Sequence, residues 1–164
     1  MPPTEGETLP DFEAAFCDGE TFRSRRLSEA LEPRGGVLVC TGFAFSAIAQ
    51  NWWTRFVRAG WDEFDDVAVI GVSRDGPYGQ NEFLRQLGRP DFEFVADVDG
   101  TAGEALDLLV DRDHMAGVST PWRSAFVVGP ARTVRYAFVA DDWISPLPRE
   151  EVEEAVAALP PRAD

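Results

Sequence analysis

The period of apolar and polar positions changes several times along the chain, and each change marks an element. Residues 11–16 carry an extended apolar pattern, Asp18-Gly19 is a tight-turn pair, and residues 21–23 return, which predicts a small hairpin. Residues 27–31 give a short helical turn with Ser28 as its candidate cap, and Gly35-Gly36 break it. Residues 37–41 are a continuous apolar run, the pattern of a central strand buried on both faces. Ser46 then fits an N-cap for a helix that reaches about Ala59 and is closed by Gly60.

Further on, residues 67–72 read as a second buried strand, and 78–87 as a helix that stops at Gly88. Residues 92–95 are short and extended, and Asp99-Gly100 turns the chain into a helix over 102–109. The segment 110–121 lacks clear periodicity and holds the single histidine, His114. Residues 124–128 and 134–139 are strands joined across Gly129-Pro130-Ala131-Arg132, a hairpin, and 149–159 is an amphipathic helix before a short tail. Strands alternating with helices predict an α/β sheet, with the terminal hairpin adding an antiparallel edge. Neither repeats nor low-complexity segments divide the chain, so residues 1–164 are expected to form a single domain.

Composition narrows the partners. There are 29 acidic residues against 15 basic ones, and every basic residue is arginine. A formal charge of −14 repels nucleic acid and anionic lipid, so neither is expected as a partner. The acidic, lysine-free composition resembles that of proteins from salt-accumulating haloarchaea, where molar salt shortens the Debye length to about 3 Å and screens such repulsion. No apolar run reaches the roughly 18 residues of a membrane span, and MPPTEGETLPDF lacks the features of a secretory signal, so a cytoplasmic location is expected. Cys17 and Cys40 form no CxxC pair, and one histidine without a Cys/His cluster predicts no metal; no cofactor is expected either.

Several stretches, in this order, resemble the peroxiredoxin (AhpC/TSA-like) family. GETLPDFEAAF at 6–16 is similar to the family opening, with Asp18-Gly19 at its turn. VAVIGVS at 67–73, FVADVDG at 94–100, and RSAFVV at 123–128 followed by VRYAFV resemble later family elements. The resemblance implies a thioredoxin-like fold of peroxiredoxin type: a central mixed sheet flanked by helices, with an N-terminal β-hairpin. It also implies a thiol-dependent peroxidase whose signature, Pro-x-x-x-Thr-x-x-Cys at a helix start plus a later arginine, falls on Gly42, Ser46, Ala49 and Arg123. Only the arginine is retained. A methyl group cannot become a thiolate, so Ser46 and Arg123 could position a peroxide but not reduce it. Trp52, where the family has Glu or Gln, and Gly42 show that the departure is wider than one position. The expected function is therefore a non-catalytic homologue with a binding or scaffold role; the alternative is an antioxidant thiol peroxidase or oxidoreductase working through Cys17 or Cys40.

The remaining candidates have plainer readings beside the functional ones. Cys40, mid-strand, suits a small buried hydrophobe, and Cys17 a hairpin residue more open to reaction. Ser46 is an N-cap first, because a nucleophilic serine needs a base that His114 has no motif to supply. Arg123 either pairs with a carboxylate or, beside the helix start at Ser46, helps hold a small anion or carboxylate. The aromatics are core material, although Trp122 and Trp143 are also candidates for a contact in a homodimer or with an active homologue. Pro121, just before the arginine strand, stands where a thioredoxin fold favours a cis bond.

Overall fold

A computed structural model describes residues 1–162. Its first hairpin is β1 (Glu13–Cys17) with β2 (Phe22–Arg26), followed by α1 (Leu27–Ala30) and β3 (Gly35–Cys40). Next come α2 (Ala47–Arg58), β4 (Val67–Ser73), α3 (Pro77–Gln86), β5 (Glu93–Ala96) and α4 (Thr101–Ala105). The chain continues through β6 (Leu109–Arg112), β7 (Val118–Pro121), β8 (Ser124–Val128), β9 (Val134–Val139) and α5 (Arg149–Ala157). Seven strands form one mixed sheet in the order β2-β1-β5-β4-β3-β8-β9. β3 lies parallel to β4 and antiparallel to β8, so the strand that leads to the site is central, as its unbroken apolar run predicts.

Alternation along β3 divides the core in two. Val37 and Val39 face one side, together with Trp52, Trp53 and Phe56 of α2 and with Val152 and Val156 of α5. Leu38 and Cys40 face the other, with Leu27 of α1 and Ala102 of α4. Trp53 can settle onto the sheet because Gly71 of β4 has no side chain: a Cβ there would lie 2.8 Å from its ring. That close approach fixes the depth of α2 against the strands.

Four local expectations are corrected. Ser28 is not the cap of α1; Arg26 occupies that position, and Ser28 instead donates its hydroxyl to Asp11 at 2.7 Å. The strand expected over 37–41 begins two residues earlier, with Gly35 and Gly36 paired with Val67 and Ala68. The helix expected over 102–109 stops at Ala105, because Asp107 adopts a left-handed φ of 54° and turns the backbone into β6. The segment 110–121, without readable period, belongs to a separate two-stranded ribbon in which Arg112 pairs with Val118. Its strands have four residues each and are partly exposed on both faces, which removes the period-2 signal. The Asp-x-Asp-Gly stretch also gains a local role: the buried Asp97 carboxylate accepts from the amides of Ala102 and Gly103 at 2.8 and 2.9 Å and anchors α4.

Candidate functional site

The loop between β3 and α2 is held from both ends. Thr41 N–H donates to Val72 O, Arg74 N–H donates to Gly42 O, both at 3.0 Å, and Ala44 N–H donates to the Asp75 carboxylate at 2.6 Å. Ser46 caps α2 as expected, its hydroxyl accepting from Ala49 N–H at 3.2 Å. Ala49 lies one turn in and is wholly buried, its methyl group part of the core beside Trp52. Ser46 Oγ thus serves the helix backbone, and the side chain at position 49 has no group that ionises.

Arg123 enters from the start of β8 and is buried. Its Nη1 donates to Ser145 O at 2.8 Å and its Nη2 to Asp142 O, so the arginine ties down the segment after β9. The Asp142 carboxylate stays 3.9 Å away and half exposed, while it accepts from the amides of Ile144 and Ser145. The guanidinium carbon stands 5.5 Å from the centre of the Trp52 ring, and Nε has no hydrogen-bond partner. Burial lowers the Arg123 pKa from the ordinary arginine value, with Asp142 acting against that shift. Replacing Arg123 with Met is expected to cost about 1.5–3 kcal/mol, the worth of hydrogen bonds made by a charged donor. Limited proteolysis should then cut within residues 140–146 several-fold faster; unchanged cleavage would refute the tethering role.

A cavity of about 240 Å³ opens between the Gly42–Ile48 turn and Arg123. Its far wall comes from the β6–β7 ribbon, which supplies Arg112 and Met115, and from Trp143. Arg112 donates from Nε to Thr120 Oγ1 at 2.8 Å and lies over the Trp143 ring, 4.4 Å from its centre. Burial lowers the Arg112 pKa, and the nearby Arg123 guanidinium lowers it further. Gly42 makes this approach feasible: a Cβ there would lie 3.0 Å from Arg112 Nη2 and 3.3 Å from Thr120 Oγ1. The glycine that stands where the resemblance expects proline is therefore the position against which a second guanidinium packs. Arg112 was not legible as a site residue, because nothing in the aperiodic segment 110–121 links it to residue 42. The unexpected glycine was the available signal.

The two thiols lie elsewhere. Cys40 faces the α1 and α4 side of the sheet, whereas Ala49 packs on the opposite side. Cys17 closes β1 opposite Phe22 and is buried rather than open. Burial pushes both thiols up to about 12, helped by Asp18 at Cys17 and by Asp97 at Cys40, where a hydrogen bond with Ser124 opposes the shift. Trp122 and Trp143 meet each other edge to face at 4.6 Å within the chain, and Trp143 remains half exposed. His114 lies on the exposed ribbon tip, 6.4 Å from Trp143 between ring centres. The bond before Pro121 is trans, as are all described peptide bonds.

A central strand, a capped helix start and a buried arginine on a neighbouring strand define the site of a peroxiredoxin-like thioredoxin fold. The AhpC/TSA family profile matches residues 6–137, and the chain belongs to that family. Peroxidoxin BcpB from Mycobacterium tuberculosis is similar at 22% identity, with 94% of each chain covered and a TM-score of 0.73. Mycobacterium tuberculosis AhpC aligns at 18% identity over 96% of this chain and 93% of that one, with a TM-score of 0.78. The reduced 2-Cys peroxiredoxin of Plasmodium vivax aligns at 16% identity over 95% and 96% of the two chains, with a TM-score of 0.77. No curated protein matches the sequence. Among the described residues no helix is long and apolar enough to cross a membrane.

Proposed function

We propose that this chain is a non-catalytic member of its family: a cytoplasmic binding or scaffold protein that pairs with itself or with an active homologue. The observation that carries the reading is the Ala49 methyl group, buried at the first turn of α2 where the family signature requires a thiolate. Peroxide reduction begins with attack by an ionised sulfur on the O–O bond, and only the thiolate has the necessary nucleophilicity. Further support comes from the two existing thiols, both buried and pushed up to about 12. Thiol peroxidase chemistry through Cys17 or Cys40 has no comparable observation in its favour. What the site offers is positive charge beside free amides, and a small anion or carboxylate near Ser46 and Arg123 is the ligand proposed for it.

Peroxide consumption with a thiol reductant, in molar potassium chloride suited to the acidic composition, tests the reading. Consumption is expected at the rate of the protein-free control. Turnover that disappears in Cys17→Ala or Cys40→Ala would overturn it.

A further inference from the structure

The cavity beside the start of α2 has unbalanced charge. Arg123 has one carboxylate near it, Asp142 at 3.9 Å, and that carboxylate is half exposed and already engaged with backbone amides. Arg112 has no ion-pair partner among the described residues, in a chain with 29 acidic side chains. A guanidinium remains protonated even when partly desolvated, so two cations and one remote anion leave a surplus of one positive charge. Ala49 contributes nothing to offset it.

The donors left over are independent of that count. The Arg123 side chain is only 5% exposed, lines the cavity, and has an unpartnered Nε. Of the α2 amides that no intrahelical bond can reach, Ala49's goes to Ser46 Oγ, which leaves those of Ala47 and Ile48 at the cavity edge. Nε itself is enclosed by protein, so an acceptor in the cavity would be stabilised by the Ala47 and Ile48 amides and by the guanidinium charge around it. Apart from Thr41 and Ser46 at the strand end and helix start, the rest of the wall is mainly apolar: Phe43, Ile48, Met115 and the Trp143 ring. At about 240 Å³ the space is smaller than the roughly 300–1,000 Å³ of sites for drug-sized ligands.

We propose that this cavity binds a small organic monocarboxylate, its carboxylate between Arg112 and Arg123 and its apolar body against Phe43, Met115 and Trp143. The proposal rests on the binding reading of the site and names the ligand class. A bare dianion would match neither the single surplus charge nor the apolar wall, and a neutral molecule would leave the guanidinium groups without a counter-charge. Arg112 is the specificity-determining residue, delivered by the β6–β7 ribbon and accommodated by Gly42.

Calorimetric titration with phenylacetate, beside 2-phenylethanol and inorganic sulfate, tests this. Phenylacetate is expected to bind saturably and at least tenfold more tightly than either comparison ligand. Arg112→Met should weaken it at least tenfold. Gly42→Ala, which keeps the charge but displaces the guanidinium, should weaken it as well, while Arg135→Met at an exposed site should not. Equal binding of the alcohol, tighter binding of sulfate, an unchanged Arg112→Met isotherm, or no saturable binding would each overturn the proposal. Peroxide turnover is a separate readout, so failure here and failure of the non-catalytic reading are distinguishable.

Discussion

Ala49→Cys is expected to give the protein a reactive thiol that neither native cysteine supplies. The introduced sulfur would sit one turn inside α2, near the positive end of the helix dipole, in the same first turn whose Ser46 and Ile48 share a cavity with Arg112 and Arg123. A helix N-terminus brings a thiol from about 8.5 toward roughly 3.5–7.5, and here that effect works against the burial of position 49. Position 49 is buried, and cysteine behaves as a small hydrophobe, so the added volume is modest. Hydrogen peroxide should convert this thiol to a sulfenic acid, and peroxide loss should exceed that of the native protein by about tenfold or more. A second substitution, Arg123→Met, should remove part of the gain. An introduced thiol as inert as Cys40 would show that the shape of the site no longer supports the chemistry.

Trp53→Ala is expected to cost about 3–5 kcal/mol, a large share of the stability of a domain this size. The indole is buried, with ring centres 4.6 Å from Phe94, 5.2 Å from Phe56 and 5.3 Å from Phe92. Gly71 beneath the ring has no side chain that could move into the space, so the cavity would persist. Because Trp53 seats α2 on the sheet, the same substitution should loosen the Ser46 turn and weaken ligand binding at the helix start. Urea unfolding monitored by circular dichroism measures the loss. A change below about 1 kcal/mol would mean that α2 is held by other contacts.

The parts of the fold that were legible in the sequence are those with strong local periodicity. Residues 37–41 and 67–72 read as buried strands because both of their faces are apolar, and both lie at the centre of the sheet. Ser46 read as a cap because a short hydroxyl before an apolar-periodic run satisfies an orphan amide, and it does so for Ala49. What escaped has little local signal. Gly35-Gly36 read as the end of the helical turn and not as part of the strand, since glycine lowers strand propensity, yet pairing with Val67 and Ala68 makes them its first residues. The β6–β7 ribbon is short and partly solvated, so its pairing is a tertiary fact.

The site divides along the same line. Gly42, Ser46, Ala49 and Arg123 were identifiable by spacing within a resemblance, whereas Arg112 reaches the cavity only through the ribbon. Arg123 carried two readings, a carboxylate partner or an anion holder. The fold gives its two Nη groups to backbone carbonyls, an outcome no sequence pattern encodes, and leaves Nε free. Cys17 looked more open than it is, because its burial depends on β5, which pairs with β1 from far along the chain.

The central claim is that the site keeps its form without a reactive sulfur. Intact-protein mass analysis after hydrogen peroxide exposure, with a sulfenic-acid trap present and in molar salt, tests it most directly. The folded native chain should gain no trapped adduct, whatever oxygen its exposed Met1 and Met115 take up, while Ala49→Cys gains one under the same conditions. A trapped adduct on Cys17 or Cys40 of the folded native protein would contradict the account.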